Sequence, residues 1–234
     1  MTAPLALITG ASSGIGAASA EALAAAGWSL LLQGRDPARS RAQLERVERA
    51  LQPGREAALV LADLRHDGDV ARLVAALAER PLAALIHAAG MVELGRVEAT
   101  GVEVLDAHYA LNVRAPYQLT RALLAPLRAA GGHVVFINSG AGQRANPDWS
   151  SYAMSKFALR AFADALRAEE GGLRVTSVYP GRTATPMQAA VRVAEGAPYD
   201  PSAFVSPAAV AQQLVALLQL PRPSLVTDLS IRPG

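Results

Sequence analysis

Ser139, Tyr152 and Lys156 are the side chains of this sequence best suited to act together on a substrate. Lys156 follows Tyr152 by four residues, in Ser151-Tyr152-Ala153-Met154-Ser155-Lys156. At that spacing on a helix two side chains share one face, with Cβ atoms roughly 5–6 Å apart. Lys156 is also the only lysine: of 22 Lys+Arg residues, every other one is arginine. A general preference for arginine explains the scarcity but not the position. Arginine is a planar, permanently charged fork, whereas lysine is a compact ammonium on a thin stem, so a lysine kept in this background suits a narrow site that needs a point charge. Such a cation favours phenolate and is expected to draw the Tyr152 phenol below its usual pKa of about 10.

Ser139 closes the apolar run before it, in Ile137-Asn138-Ser139-Gly140, and lies thirteen residues ahead of Tyr152. A strand tip and the start of the next helix can face one cleft, which brings two hydroxyls to one carbonyl oxygen. A phenol of lowered pKa beside them can give or take the proton of a carbonyl/alcohol pair. Singly, Ser139 reads as a strand-end cap and Tyr152 as a packing residue; the three together at this spacing favour chemistry. Serine hydrolysis is the competing use of Ser139, but Asn138-Ser139-Gly140 is not the G-x-S-x-G elbow that chemistry needs. The four histidines, His66, His87, His108 and His133, lack metal-ligand spacing and read as structural, so no metal is expected. The wall of a substrate pocket is expected from 91–95, 140–149 and 182–205, with Gln143, Arg144, Trp149, Met187 and Tyr199 as candidates.

A second cluster lies near the N-terminus, in Thr9-Gly10-Ala11-Ser12-Ser13-Gly14-Ile15-Gly16. It joins an apolar run, Leu5 to Ile8, to an Ala-rich helical stretch. In that context Gly10 permits a tight turn, Gly14 lets a pyrophosphate approach the backbone, and Gly16 lets the helix pack on the sheet. With Ser12, Ser13 and Ile15, these residues form a candidate dinucleotide turn. An acid that selects NAD(H) belongs at the tip of the second strand. Gly34 and Arg35 stand there instead, with Asp36 one residue further on. A guanidinium pairs with a 2′-phosphate, so Arg35 favours NADP(H), with NAD(H) as the alternative.

The elements that must position these clusters follow from the pattern of apolar residues. Strands are expected at 5–8, 28–33, 57–62, 82–87, 133–138, 173–179 and 225–231. Helices are expected at 15–26, 37–51, 70–78, 101–129, 150–169 and 207–219. The strand runs are continuously apolar, as in strands covered on both faces, and their alternation with helices implies a doubly wound, mostly parallel sheet of about seven strands. The stretch 181–206, rich in Gly, Pro, Ala and Thr, reads as a functional loop.

The chain has 234 residues, 51% hydrophobic and 18% charged, enough for one large α/β domain over 1–234 with a substrate loop near 182–205. The N-terminal segment reads as a strand and not a signal peptide, no run suits a membrane span, and cysteine is absent; a cytoplasmic protein is expected. The net charge is +2, and Arg39, Arg41, Arg46 and Arg49 interleave with Glu45 and Glu48 as on a solvated helix face, so neither nucleic acid nor membrane is an expected partner.

Taken in order, these motifs resemble the short-chain dehydrogenase/reductase family in its short, single-domain form. The resemblance spans essentially the whole chain. It implies a three-layer Rossmann fold and adds further site residues. Asp63-Leu64 match the adenine-contacting pair. Ala88-Ala89-Gly90 match the segment after the fourth strand, although His87 and Ala88 replace its two asparagines. Asn112 matches the fourth catalytic residue, expected to help hold a water beside Lys156. Pro180, Gly181, Thr183 and Thr185 match the segment that holds the nicotinamide carboxamide, and Lys156 is expected to bind the nicotinamide ribose as well. Ala89, Gly90, Tyr152 and Lys156 thus join the cofactor-binding set. The implied activity is NAD(P)-dependent interconversion of a carbonyl and a secondary alcohol on a small-molecule substrate, by a homodimer or homotetramer. The alternative is a catalytically silent NAD(P)-binding regulator on the same fold, which would have no reason to keep Asn112, Ser139, Tyr152 and Lys156 together.

Overall fold

A computed structural model of the chain describes residues 3–77 and 80–234. Met1 and Thr2 of the N-terminal strand reading, and Ala78 at the end of the third expected helix, lie outside the described residues. The seven strands are β1 (Leu5–Thr9), β2 (Ser29–Gly34), β3 (Ala57–Leu61), β4 (Ala84–His87), β5 (His133–Ile137), β6 (Arg174–Pro180) and β7 (Asp228–Ile231). All pair in parallel in the order β3-β2-β1-β4-β5-β6-β7. The order reverses between β1 and β4, where a doubly wound sheet opens a crevice at its carboxyl edge.

Each central strand feeds two cores because successive side chains point to opposite faces. Leu5 and Leu7 of β1 join one cluster, while Ala6 and Ile8 join the other. The first cluster is closed by α3 (Asp67–Ala75), α5 (Ala115–Ala122), α6 (Leu124–Ala130) and α7 (Ser150–Glu169), through residues such as Leu73, Leu119, Leu127 and Leu159. The second is closed by α1 (Gly14–Ala25), α2 (Pro37–Ala50) and α9 (Pro207–Gln219), through Leu23, Val47 and Leu214. Both faces of the central strands are therefore dry, which is why those strands read as unbroken apolar runs. On α2 the arginines at 39, 41, 46 and 49 are exposed, as expected, while Gln43 turns inward to donate to the Ala17 carbonyl. Among the described residues no helix is long and apolar enough to cross a membrane.

Two expected elements differ. The region 101–129 is not one helix: α4 (Val102–Tyr109) passes through a π-helical turn at Ala110–Arg114 into α5, and a second break at Leu123 precedes α6. Proline explains both. Pro116 has no N–H to offer the Asn112 carbonyl four residues back, and at this turn Ala115 reaches Ala110 five residues back. Pro126 likewise withholds a donor from the Ala122 carbonyl, and the backbone leaves helical geometry at Leu123, φ −104° and ψ 11°. The second difference is the stretch 181–206. It contains α8 (Pro186–Ala194), whose first turn is capped by the Thr185 hydroxyl accepting from the Gln188 amide at 3.1 Å. Val205 also bridges Thr183 in parallel pairing.

Two histidines stand inside the sheet layer. His87 stacks on Phe136 with ring centroids 5.0 Å apart, and its Nε2 lies 2.9 Å from the Thr120 hydroxyl. His133 Nε2 lies 2.8 Å from the Thr176 hydroxyl. Burial holds both rings at a pKa of about 3, helped at His133 by the nearby positive charges of Arg174 and Arg222. The folded chain thus keeps them neutral where the unfolded chain, with pKa near 6.5, takes up protons. Their contribution to stability is complete above pH 6.5 and is lost as pH falls toward 3. At pH 5 each histidine costs about 2 kcal/mol relative to neutral pH. Urea unfolding at pH 7.5 and pH 5 should show a loss of about 4 kcal/mol from the pair; coincident midpoints would contradict their burial.

Candidate active site

The carboxyl edge of β1, β4, β5 and β6 opens into a cleft of about 300 Å³. At one end α1 presents its N-terminus. Ser13 is the N-cap but makes no side-chain capping bond, so the amides of the first turn are left for another acceptor. Gly10 turns the chain there with φ +65°, and a Cβ on it would stand 2.7 Å from the Ala89 backbone, so the loop after β4 can approach this closely only over glycine. Thr9 fixes that approach by accepting from the Ala88 and Ala89 amides at 3.1 Å each. Ser13, Gly14, Ile15, Ala89, Gly90, Pro180, Gly181, Thr183 and Thr185 all line the cleft. This arc of unpaired helix-terminal amides and side-chain-free backbone fits a dinucleotide pyrophosphate.

The second strand's tip lies further along. Arg35 is largely exposed, 3.9 Å from Asp63. Asp63 is gripped by Arg65, with the closest contact at 2.6 Å, which holds its carboxyl down at about pKa 2. Asp36 is spent on capping α2, accepting from the Arg39 amide at 2.9 Å. Among these groups Arg35 has the loosest partner. The Leu64 side chain, expected beside the adenine, is instead buried in the core.

At the other end Ser139, Tyr152 and Lys156 line the same cleft. Ser139 follows β5 directly, and its hydroxyl accepts from the Ala141 amide at 3.1 Å. Tyr152 sits in the first turn of α7, nearly buried, with Trp149 and His108 edge-on to its ring at 5.8 and 5.9 Å. Lys156 is one turn further on, and its ammonium lies 5.8 Å from the Tyr152 ring centre. It does not bond the phenol: Nζ donates to the Ile137 carbonyl at 3.0 Å. Burial therefore pushes the Tyr152 phenol above its ordinary range, and the nearby Ser139 hydroxyl pulls only partly against it. The direction is opposite to the one the Tyr-Lys spacing led us to expect: burial outweighs the opposing effect, and the ammonium is bonded to a backbone oxygen and not to the phenol. Burial also lowers Lys156, to a pKa of about 8.

Asn112 is brought to the site but does not line the cleft. Its side chain clamps the loop after β4, with Oδ1 accepting from the Met91 amide and Nδ2 donating to the Met91 carbonyl, each at 3.0 Å. Nδ2 also lies 3.0 Å from the Ser155 hydroxyl on α7. Both ends of the amide are engaged, so the side chain clamps the loop after β4 against α7.

The expected ranges supply Met91, Val92, Gly140, Ala141, Trp149 and Met187 to the cleft wall, among others. Gln143 and Arg144 do not, and the Gln143 side chain accepts from Arg232. Tyr199 packs on Phe204 instead, with ring centroids 5.6 Å apart. Three supporting residues were not among the expected site residues. Asn138 donates from Nδ2 to the Lys156 carbonyl at 3.1 Å and accepts from the Ser139 amide at 2.8 Å, joining strand tip to helix. His108 takes the Glu93 amide at Nε2, 3.1 Å away, while its Nδ1 meets the Val104 carbonyl at 2.8 Å. Gln33 accepts from the Gly10 amide at 2.9 Å and donates to the Ala62 carbonyl at 2.7 Å. Gln33 and Asn138 are polar residues in or beside apolar strand runs, and that misfit was the available signal.

Comparison with known proteins agrees with this architecture. The family model described as short chain dehydrogenase matches residues 4–196. An uncharacterized short-chain type dehydrogenase/reductase of Sinorhizobium fredii is 34% identical over 239 residues, covering 98% of this chain and 91% of the relative. Among solved structures, an alcohol dehydrogenase of the archaeon Thermococcus sibiricus, complexed with 5-hydroxy-NADP, superimposes with TM-score 0.90 at 25% identity, over 99% of this chain and 97% of that one. A metagenomic short-chain oxidoreductase in complex with NADP gives TM-score 0.83 at 28% identity, over 99% and 97% of the two chains. The switch-point cleft, the glycine turn and these likenesses agree: the chain belongs to the short-chain dehydrogenase family and is an oxidoreductase.

Proposed function

We propose that this chain, acting as one domain, is an NADP(H)-dependent oxidoreductase that interconverts a carbonyl and a secondary alcohol, with Tyr152 as general acid and base. The observation that carries the reading is that the Ser139 and Tyr152 hydroxyls and the Lys156 amine line the same cleft as the open N-terminus of α1. The NADP-bound relatives support the cofactor assignment.

Gly10, Ser12, Ser13, Gly14, Ile15 and Gly16 would hold the pyrophosphate. Arg35 would meet the 2′-phosphate, with Asp63 beside the adenosine. Ala89, Gly90, Pro180, Gly181, Thr183 and Thr185 would frame the nicotinamide half. The bound nicotinamide supplies the hydride donor, or in the reverse direction the acceptor. The protein's part is to hold the carbonyl oxygen between the Ser139 and Tyr152 hydroxyls and to move one proton. In reduction the phenol gives its proton to that oxygen, and in oxidation the phenolate takes it back. Burial opposes the phenolate, so a nearby cation must stabilise it, and Lys156 is the cation within reach. With a pKa of about 8, Lys156 can also exchange protons near neutral pH. Asn112 serves this set as a positioning residue, fixing the wall at Met91 against α7 at Ser155.

Assembly as a homodimer or homotetramer is part of the proposal. Leu123, Leu127 and Leu159 are spent on the core. Tyr109, Tyr117, Met154 and Phe157, from 42% to 55% exposed, remain as uncovered apolar side chains on α4, α5 and α7.

Three measurements test the proposal. Tyr152→Phe should reduce NADPH-dependent reduction of any ketone the wild type accepts by about 10²–10⁴-fold, the usual share of general acid catalysis, with NADPH binding kept; unimpaired turnover would remove the phenol from the mechanism. Arg35→Asp should raise KM for NADPH by about 10–100-fold while changing that for NADH little, since one charge-assisted bond carries that much; equal losses would show that Arg35 does not read the phosphate. Sedimentation at micromolar concentration should give a dimer or tetramer, and a monomer alone would remove the assembly.

A further inference from the structure

Both cations that line the cleft are already engaged by other groups. No aspartate or glutamate lines it among the described residues, and its charged lining residues are Lys156 and Arg182. Lys156 lies beneath the reacting end, buried and committed to the Ile137 carbonyl. Arg182 is held in a fork by Glu195, with Nη1 and Nη2 at 2.8 and 2.7 Å from its two oxygens. Glu195 is mostly buried, and its two arginine partners hold its carboxyl below the usual range, so it stays ionised at working pH. The second partner, Arg192, does not line the cleft. It donates to Glu195 at 2.7 Å and gives Nε to the Pro198 carbonyl at 3.0 Å, so it is engaged off the cleft lining.

The bidentate pair takes one N–H from each terminal nitrogen of Arg182 and sets a carboxylate against its charge. A substrate carboxylate entering here would give up its water for a guanidinium whose charge Glu195 already opposes, and a substrate ammonium would find no acid. What remains for recognition is neutral. Met91, Val92, Met187 and Val191 supply apolar wall, Asn146 supplies an amide, and the Gln188 Nε2 has no hydrogen-bond partner. Resting on the oxidoreductase reading above, we infer that the substrate is an uncharged ketone or secondary alcohol, and that Glu195 is the specificity-determining residue that keeps anionic substrates out by occupying Arg182.

The test uses three ketones of one shape with NADPH: acetophenone, 4-acetylbenzoate and 4-acetyl-N,N,N-trimethylanilinium. Acetophenone should exceed each charged ketone in kcat/KM by about a hundredfold, the cost of one unpaired charged group. Either charged ketone turned over as well as acetophenone would overturn the inference. In folded Glu195→Gln, the ratio for 4-acetylbenzoate over acetophenone should rise about tenfold, with no rise for the trimethylanilinium ketone; an unchanged ratio would remove Glu195 as the determinant. If that variant fails to fold, the wild-type series still decides the substrate class. Calorimetric binding of the three ketones to the NADPH-loaded protein separates the two claims. Binding ranked as above without turnover would sink the proposed chemistry and leave the inference standing, whereas turnover without the ranking would do the reverse.

Discussion

An ammonium taken out of water must find an acceptor, and in this fold the Lys156 amine finds one at the end of β5. The bond to the Ile137 carbonyl ties α7 to the strand whose next residues are Asn138 and Ser139. Asn138 returns the connection, donating to the carbonyl of Lys156 itself. Strand tip and helix are thus stitched in both directions over a few ångströms. Ser139 and Tyr152 inherit their places from that stitch, and Asn112 extends it through Ser155 to the loop at Met91. Charge that is costly to bury has been made the element that aligns the cleft.

Much of this was legible because it rests on local patterns. Continuous apolar runs gave the parallel sheet, since strands covered on both faces have no polar side to show. The bounds 150–169 and 207–219 coincide with α7 and α9, where a serine at or just before the first turn marks each start. The breaks in 101–129 were hidden by Leu119, Leu123 and Leu127, which keep helical spacing across a chain that Pro116 and Pro126 interrupt. The helix α8 was hidden by composition, although Thr185-Pro186 is a cap followed by proline at the first helical position. The direction of the Tyr152 pKa was not legible for a different reason. Spacing shows that Lys156 is near the phenol, but not that a backbone carbonyl competes for its proton. Pairings such as Arg182 with Glu195 depend on how a loop closes, and no periodicity encodes that.

The abundance of arginine has a structural counterpart. Arg174 donates to the Leu220 carbonyl at 2.8 Å, Arg232 to the Tyr179 carbonyl at 3.1 Å, and Arg55 to the Gly27 carbonyl at 2.7 Å. Arg72 and Arg167 reach the Leu61 and Val175 carbonyls in the same way. A forked donor can satisfy an exposed loop carbonyl and a second acceptor at once, which an ammonium does with less geometric control. The arginines thus act as fasteners around the rim of the sheet, while the lone lysine is buried in the cleft and bonded to the Ile137 carbonyl.

That division leaves the protein with a singular chemical address. Besides the α-amino group, a reagent that acylates or reductively alkylates amines has one ε-amine to find. It lies at the floor of the cleft and is partly unprotonated at mildly alkaline pH. Covalent tagging of that ε-amine therefore reports the occupancy of the cleft, without an engineered handle and with no other lysine to compete.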